Sequence, residues 1–146
     1  MIRRVLLSIV LGGLGAAGTL RGQSAADSAA IRATALDYAE GWYEGNAERM
    51  ERALHPELAK RIMRTTPEGR SRLEQMSAMT LVQGTRAGGG KSTPPDRQQK
   101  DVYILDIFNG AASVKTVMSG WIDYMHMARW NGRWVIVNVL WELKTP

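Results

Sequence analysis

The sequence predicts an α+β domain in which helices pack on one face of an antiparallel sheet. The first observation is that Trp121–Glu142 contains two apolar, aromatic-rich runs on either side of Asn131-Gly132, the strongest short-range signal for a two-residue hairpin turn. The second is Asn109-Gly110, which separates Asp101–Phe108 from Ala111–Ser119. These patterns predict a three-stranded antiparallel meander in the last third of the chain. Helical spacing of apolar residues upstream predicts the helices that cover it.

Residues 1–23 have the pattern of a secretory signal peptide, followed by one domain of residues 24–146. Arg3 and Arg4 form a basic start, Val5–Ala17 is an apolar run, and the next residues become polar, which is the three-part pattern of an export signal. The apolar run is shorter than the ~20 residues of a membrane span. We therefore expect cleavage between residues 18 and 26, export to the periplasm or outside the cell, and no stable membrane anchor after cleavage. An uncleaved N-terminal anchor is the alternative.

The charge balance gives no support to a nucleic-acid or membrane partner. The chain has 19 basic and 14 acidic residues, a net charge of +5, but Arg3, Arg4 and Arg21 belong to the predicted signal. Without them the net charge is about +2, which is too low for binding to nucleic acid or an anionic surface. The chain has 0 Cys, which excludes disulfides, thiolate catalysis and cysteine-based metal sites.

The first predicted helix is Asp27–Gly45, with Asp27 or Ser28 as its N-cap. Its apolar residues recur at three- and four-residue spacing and form one stripe, made of Ile31, Ala35, Tyr38 and Trp42. Tyr38 and Trp42 lie one turn apart on the side that must face the sheet. They either pack as an ordinary core or line a cavity with their polar tips, because a buried Tyr O–H or Trp N–H needs a partner.

The next segments are short. Asn46–Leu54 is predicted to be a helix with Asn46 as its cap, and it must end before Pro56, because proline disfavours helical geometry in the preceding residue. His55–Leu58 is then predicted to be a turn. Ala59–Arg64 fits either a short strand or a helical turn.

A third helix is predicted from Thr66 to about Val82, because Thr66-Pro67-Glu68 supplies a cap, a proline at the first helical position and an acid in the first turn. Gly84–Lys100 contains four Gly and two Pro and is predicted to be a mobile loop over one end of the sheet. Its Gly-Gly-Gly-Lys-Ser run lacks the first glycine and the following helix of a phosphate-binding loop. We therefore reject a nucleotide site.

Strand alternation predicts which side chains share a face of the sheet. The last strand is predicted to carry Trp134, Ile136, Asn138 and Leu140 on one face, and Arg133, Val135, Val137, Val139 and Trp141 on the other. Both faces are mostly apolar, whereas a sheet covered by helices on one side should have a polar outer face. The sheet therefore curls on itself, is covered by other strands, or is covered by a second subunit. We favour a homodimer that packs sheet against sheet.

Five short motifs resemble one known family when they are taken together. They are Ala39–Gly45, Leu54–Glu57, Ala112–Lys115, Asp123–Met125 and Gly132–Asn138. In this order they resemble the putative lumazine-binding family of the nuclear transport factor 2-like superfamily, which also holds polyketide-cyclase-like and ketosteroid-isomerase-like proteins. The resemblance implies a cystatin-like cone, in which a curved antiparallel sheet wraps around about three N-terminal helices. It also implies a pocket inside the cone and often a dimer through the sheet.

Asp123 is the main candidate for a functional side chain. It is predicted to lie on an apolar strand face with Met125 and Met127, where a carboxylate would lose its hydration, and this is how a pocket acid or base is made. The structural alternative is that Asp123 lies at a strand end and pairs with an arginine. Asn138 could fix a ligand carbonyl or satisfy buried backbone at a bulge.

The two histidines do not make a metal site. His55 precedes a proline at a predicted turn and is most simply structural, and His126 is predicted on the face opposite Asp123. A third ligand at matching spacing is missing. We predict no metal and no cofactor.

Three functions remain open from the sequence. The first is an exported domain that binds a small apolar or aromatic molecule. Its predicted ligand-binding residues are Tyr38, Trp42, Asp123, Met125, Trp134 and Asn138. The second is an isomerase- or cyclase-type enzyme, in which Asp123 acts as general base while Tyr38 or His55 donates to the developing oxyanion. The third is a non-catalytic dimerisation or interaction module, which a fully packed interior would favour.

Overall fold

The structure, a computed structural model, describes residues 16–144. Most of the predicted signal peptide, up to residue 15, therefore lies outside the described residues, and residues 16–23 form the start of the first helix. Within the described part of the chain, each helix is too short or too polar to cross a bilayer.

The described residues form three α-helices, one short 3-10 helix and one six-stranded sheet. The helices are α1 (Ala16–Glu44), α2 (Ala47–Ala53) and α3 (Ala78–Arg86), and the 3-10 helix is Pro95–Arg97. The strands are β1 (Leu54–Thr65), β2 (Ser71–Ser77), β3 (Lys100–Phe108), β4 (Ala111–Met118), β5 (Trp121–Trp130) and β6 (Arg133–Leu143). This composition confirms the predicted α+β class.

The strands lie in the order β2-β1-β6-β5-β4-β3. All neighbouring pairs are antiparallel except β1 and β6, which are parallel, so the sheet is mixed rather than purely antiparallel. The predicted meander contains four strands instead of three, β3 to β6. Both Asn-Gly turns are confirmed: Asn109 and Asn131 have φ of 51° and 48°, which asparagine tolerates better than most residues.

Helix α1 lies against the concave face of the curved sheet. Its predicted apolar stripe packs into the core, where Tyr38 is buried and Trp42 is half-buried. Because α1 begins well before Asp27, this residue is not the N-cap. Its carboxylate accepts hydrogen bonds from Nε1 of Trp134 at 3.1 Å and from Arg129 instead. These contacts attach the helix to the β5–β6 hairpin.

The short second helix is confirmed, and its cap is Asn46, whose side chain accepts from the backbone N–H of Arg49 at 3.0 Å. The predicted turn at His55–Leu58 is wrong, because these residues belong to β1. The register between β1 and β6 shifts between Leu54 and Ala59. This irregularity accommodates Pro56, which has no N–H to give to a ladder.

The predicted third helix is also wrong. Thr66 starts a turn, in which the N–H of Gly69 donates to the Thr66 carbonyl at 2.9 Å, and β2 follows. The helix begins only after Ser77, whose hydroxyl accepts from the N–H of Thr80 at 3.2 Å. Nearly every residue of β2 is exposed, so this edge strand lacks the alternation of apolar residues by which a strand is recognised.

The predicted mobile loop after residue 84 is instead packed against α1. A Cβ atom on Gly89 would lie 2.5 Å from Cη2 of Trp42, and one on Gly90 would lie 2.5 Å from Cδ1 of the same ring. Only glycine allows so close an approach between backbone and indole. The glycine-rich run therefore fixes one tryptophan of the site described next.

Candidate functional site

A cavity of about 400 Å³ opens between α1, α3 and the strand ends where β5 begins and β6 finishes. This volume lies within the range of small-molecule sites, about 300–1,000 Å³. The lining residues are Tyr38, Trp42, Lys60, Met76, Thr80, Leu81, Gly84, Trp121, Trp141 and Leu143. We call this space the tryptophan cavity, after its three indole rings.

The three tryptophans form a connected aromatic wall. The ring centroids of Trp42 and Trp121 lie 5.9 Å apart with the planes at 86°, and those of Trp121 and Trp141 lie 6.3 Å apart at 74°. Edge-to-face pairs at these distances are the favoured arrangement for aromatic rings. The wall is therefore preorganised, with one ring from α1, one from β5 and one from β6.

A buried ion pair lies beside this wall. The ammonium of Lys60 contacts Oδ1 of Asp123, and the two side chains are 4% and 0% exposed. Nζ of Lys60 also donates to the Tyr38 hydroxyl at 2.7 Å, and that hydroxyl donates to Oδ2 of Asp123 at 3.1 Å. Nε1 of Trp121 donates to the same Oδ2 at 2.8 Å. Every oxygen of the carboxylate is thus hydrogen-bonded, as a buried charge requires.

Burial shifts the protonation of this cluster. Desolvation lowers the pKa of Lys60 from its usual value, and the neighbouring Asp123 carboxylate opposes that shift without cancelling it. Desolvation also raises the pKa of Tyr38 well above its usual value, and Asp123 adds to the shift. Tyr38 therefore stays a neutral phenol in the folded protein, and the Lys60 amine is easier to deprotonate than a surface lysine.

Aromatic faces surround the Lys60 ammonium. Nζ lies 4.8 Å from the ring centroid of Trp141, 5.4 Å from that of Tyr38 and 6.0 Å from that of Trp121. These distances allow cation–π attraction, which is stronger where water is excluded. Nε1 of Trp141 is buried without a hydrogen-bond partner among the described residues.

Three of the predicted site residues lie together at the cavity. Tyr38 and Trp42 line it, and Asp123 is completely buried next to Tyr38, which agrees with its predicted inward direction. Met125 is buried on the same side of β5 but is not a lining residue.

Asn138 does not face the cavity, so its predicted direction is wrong. The pairing of β5 with β6 shifts register between His126 and Met127, which pair with Asn138 and Ile136. Val137, between these two residues of β6, is the extra residue of a β-bulge. The alternation of side chains between the two faces of the sheet is therefore interrupted there. Oδ1 of Asn138 accepts from Arg61 at 3.1 Å, and its amide lies 3.3 Å from Nδ1 of His126, on the outer face of the sheet.

Trp134 and His55 lie away from the tryptophan cavity. The indole of Trp134 binds Asp27, as described above. His55 packs edge-on against Trp130, with 4.8 Å between ring centroids, and its Nδ1 accepts from the Glu57 N–H at 3.1 Å. Neither residue can contact a ligand held by the cavity. Within residues 16–144, His and acidic side chains do not group in a way that could hold a metal ion.

The sequence interpretation missed Lys60, Trp121 and Trp141. Leu58, Lys60 and Ile62 are two residues apart from one another and are all buried. Side chains at this spacing share one face of a strand, so reading the segment as a strand would have placed Lys60 on the inner face. Trp141 was assigned to the opposite face from Trp134, and the bulge brings both rings inward. No sequence signal pairs Lys60 with Asp123, because the two lie on non-adjacent strands.

The comparisons with other proteins agree with this architecture. Residues 26–142 match the profile of the family described as "Putative lumazine-binding". Among solved structures, a nuclear transport factor 2-like protein of unknown function from Shewanella baltica is 17% identical, covers 84% of this chain and 97% of its own, and has a TM-score of 0.62. A cystatin-like example from Novosphingobium aromaticivorans is 12% identical, with coverage of 90% and 92% and a TM-score of 0.64. The sequence matches no curated protein at a significant level.

Proposed function

The chain belongs to the putative lumazine-binding family and has the nuclear transport factor 2-like fold, and we propose that it is an exported domain that binds a small apolar molecule in the tryptophan cavity. The observation that carries this proposal is the preformed wall of three indoles beside a buried cation. Binding sites for small molecules combine such apolar walls with a few placed polar groups.

The ligand class follows from the walls and the polar cluster. Trp42, Trp121 and Trp141 offer aromatic faces and edges for an aromatic or flat aliphatic body. The polar atoms of Lys60 and Tyr38 offer partners for one oxygen-bearing group. Lumazine, which the family description names, carries polar groups around two fused rings, and the cavity lining offers few partners for them. We therefore propose an apolar aromatic compound with a single polar group.

The geometry favours binding over proton abstraction by Asp123. A general base needs a carboxylate oxygen within reach of the substrate proton. Here Oδ1 is held by Lys60, and Oδ2 accepts from Tyr38 and Trp121. His55, the alternative oxyanion donor, lies at the other end of the sheet. The open cavity also disfavours a purely structural module.

Export is part of the proposal and rests on the basic start and apolar run of residues 1–23. Cleavage should give a mature chain that begins shortly after residue 18 and no later than residue 27. N-terminal mass spectrometry on protein from the native host measures this. Recovery of the intact Met1 terminus would contradict cleavage.

A second copy of the chain covers the outer face of the sheet in this proposal. Tyr103, Tyr124 and Leu140 are 52%, 48% and 53% exposed there, and they lie in one cross-strand row with Lys115 between the two tyrosines. Exposed apolar side chains grouped in this way mark an interaction surface.

Asp101 and Glu142 lie on the same face in the next cross-strand row, so a copy related by a two-fold axis can place them against Lys115. Native mass spectrometry should show a dimer that Leu140→Glu disrupts. Met79→Glu, on α3 and 69% exposed, is the matched control and should leave the dimer intact. A monomeric wild type would contradict the pairing.

Cavity-filling tests the binding proposal. Gly84 lines the cavity on α3, and a Cβ there would lie 3.9 Å from Cζ3 of Trp42, which is ordinary contact. Gly84→Leu therefore fits the helix and puts its side chain where the ligand would lie. Gly110→Leu is the control, because Gly110 is in the β3–β4 turn and a Cβ there would lie 3.7 Å from Cβ of Arg129.

The probes are cuminyl alcohol, an apolar aromatic alcohol, and lumazine, titrated while tryptophan fluorescence is recorded. We expect saturable quenching by cuminyl alcohol and weaker binding of lumazine. Gly84→Leu should weaken binding on the order of tenfold, about 1.4 kcal/mol, and Gly110→Leu should not change it. Equal affinity in both variants would exclude the tryptophan cavity as the site. Absence of saturation by either probe would contradict the binding function.

A further inference from the structure

We propose that Lys60 is a nucleophilic amine that captures apolar aromatic aldehydes as imines inside the tryptophan cavity. This inference deepens the proposed function and rests on it, because the aldehyde must first occupy the cavity. It assigns a covalent step to a residue whose burial is otherwise costly for the fold.

Lys60 differs in its surroundings from the other lysines of the chain. Its side chain is 4% exposed, and among the described residues it is the one lysine that lines the cavity. Lys100 is paired with Glu40 on the surface, Lys144 donates to Gln99, and Lys115 lies over the Tyr103 ring on the outer face. A desolvated lysine in an apolar pocket is the usual origin of a nucleophilic amine.

The capture step balances in atoms and charge. The carboxylate of Asp123 takes one proton from the Lys60 ammonium, and the freed lone pair attacks the carbonyl carbon. A C–N bond forms, and the carbonyl π electrons move to oxygen. The added nitrogen passes one of its two protons to that oxygen, which gives a neutral carbinolamine. Its hydroxyl then leaves as water with the proton that Asp123 held, and a protonated imine remains. Ammonium and aldehyde thus give a protonated imine and water, with one positive charge before and after.

The contacts of Lys60 suit both ends of this step. Oδ1 of Asp123 already contacts the ammonium, so proton transfer needs no large movement. The Tyr38 hydroxyl lies 2.7 Å from Nζ. Its O–H, which donates to Oδ2 of Asp123 in the resting cluster, can turn to the carbonyl oxygen or the departing hydroxyl once Asp123 has taken the proton. Since the imine keeps the positive charge, the ion pair with Asp123 and the aromatic faces around it are retained.

Burial also favours the attack itself. Desolvation lowers the pKa of Lys60, so more of its amine is free at neutral pH than on the surface. Because the chain has 0 Cys, no thiol competes for the aldehyde.

The test is reductive trapping on the wild-type protein with cuminaldehyde and cyanoborohydride, followed by peptide mapping. Reduction fixes each imine as a stable secondary amine, and mass spectrometry reports its position. Lys91, Lys100, Lys115 and Lys144 serve as internal comparators in the same sample. We expect labelling of Lys60 on the order of tenfold above each of them. Labelling of Lys60 at or below their level would overturn the inference.

A matched pair of variants checks the same point by total incorporation. Lys60→Arg keeps a cation beside Asp123 but has no primary amine, and its labelling should fall to the level of the surface lysines. Lys100→Arg removes a surface amine outside the cavity, 44% exposed beside Glu40, and should keep the fast labelling. If Lys60→Arg is labelled as fast as wild type, the reactive amine is elsewhere and the inference fails.

Cuminyl alcohol separates this failure from failure of the proposed function, because it has the same body without the carbonyl. Quenching by the alcohol without trapping at Lys60 would overturn imine formation and leave the binding site intact. Absence of both quenching and trapping would overturn both proposals. Trapping at Lys60 that excess cuminyl alcohol suppresses supports both.

Discussion

Replacement of Asp123 by asparagine should destabilise the fold strongly. The substitution keeps the shape of the side chain but leaves the Lys60 ammonium, 4% exposed, without its counter-charge. Removing one partner of a buried ion pair costs about 3–5 kcal/mol, which is a large part of the about 5–15 kcal/mol that stabilises a typical domain. The asparagine can still accept from Tyr38 or Trp121, so most of the loss belongs to the uncompensated charge.

Urea unfolding followed by circular dichroism measures the effect. With a urea dependence of about 2 kcal/mol per molar, the middle of the usual range, the midpoint should fall by roughly 1.5–2.5 M. A double variant that also carries Lys60→Met contains no buried charge and should recover about 2 kcal/mol or more of the loss.

The pair Arg64–Glu74 is the matched control, because its atoms lie 3.5 Å apart but the side chains are 41% and 48% exposed. Its coupling should be about 0–1 kcal/mol. A cost of Asp123→Asn below about 1 kcal/mol, or equal coupling in the two pairs, would refute the buried-pair argument.

The sign of the pH dependence follows from the same residues. The folded pKa of Lys60 lies below its unfolded value, near ~10.4, so between these values the unfolded chain binds more protons and the free energy of unfolding rises with pH. In Asp123→Asn the counter-charge is gone, so this rise should be steeper than in wild type. Above about pH 10 the raised pKa of Tyr38 has the opposite effect. The folded chain then keeps a phenol proton that the unfolded chain loses, so the free energy of unfolding falls with pH. A flat alkaline profile in the variant would contradict the assignment.

Three further predictions concern the support of the site. Arg49→Met should lower the free energy of unfolding in urea by about 1–3 kcal/mol, because Arg49 joins three carboxylates of α1 and is 22% exposed. Arg52 is 57% exposed, so Arg52→Met should lower it by only about 0–1 kcal/mol. Gly90→Ala should cost about 1–3 kcal/mol and weaken cuminyl alcohol binding, since its Cβ would collide with Trp42; an unchanged midpoint would contradict this packing. Hydrogen bonds from Lys100 and Arg49 hold the pKa of Glu40 below its usual value. The stability that Glu40 contributes is present above about pH 4.3 and is lost as pH falls through its folded pKa. Glu40→Gln should therefore lose less stability in acid than the wild type.

Part of the candidate site could be predicted because its signals are local. The stripe on α1 identified Tyr38 and Trp42, since helical spacing depends on residues three and four apart. The direction of Asp123 followed from alternation along a single strand without an irregularity near it. Asn138 could not be placed in the same way, because a bulge at the adjacent Val137 reverses the alternation and leaves no mark in the local pattern.

The sequence alone determined the α+β class, the two Asn-Gly hairpin turns and the capped second helix, because each depends on the conformational preferences of a few neighbouring residues. Only the tertiary structure decided that Lys60 of β1 meets Asp123 of β5 and that Trp121 and Trp141 complete the wall begun by Trp42. Lys60 and Asp123 are 63 positions apart in the chain, and Trp42 and Trp121 are further apart still. These contacts depend on the order and register of strands in the sheet, which the pairing of whole strands sets and no short segment encodes.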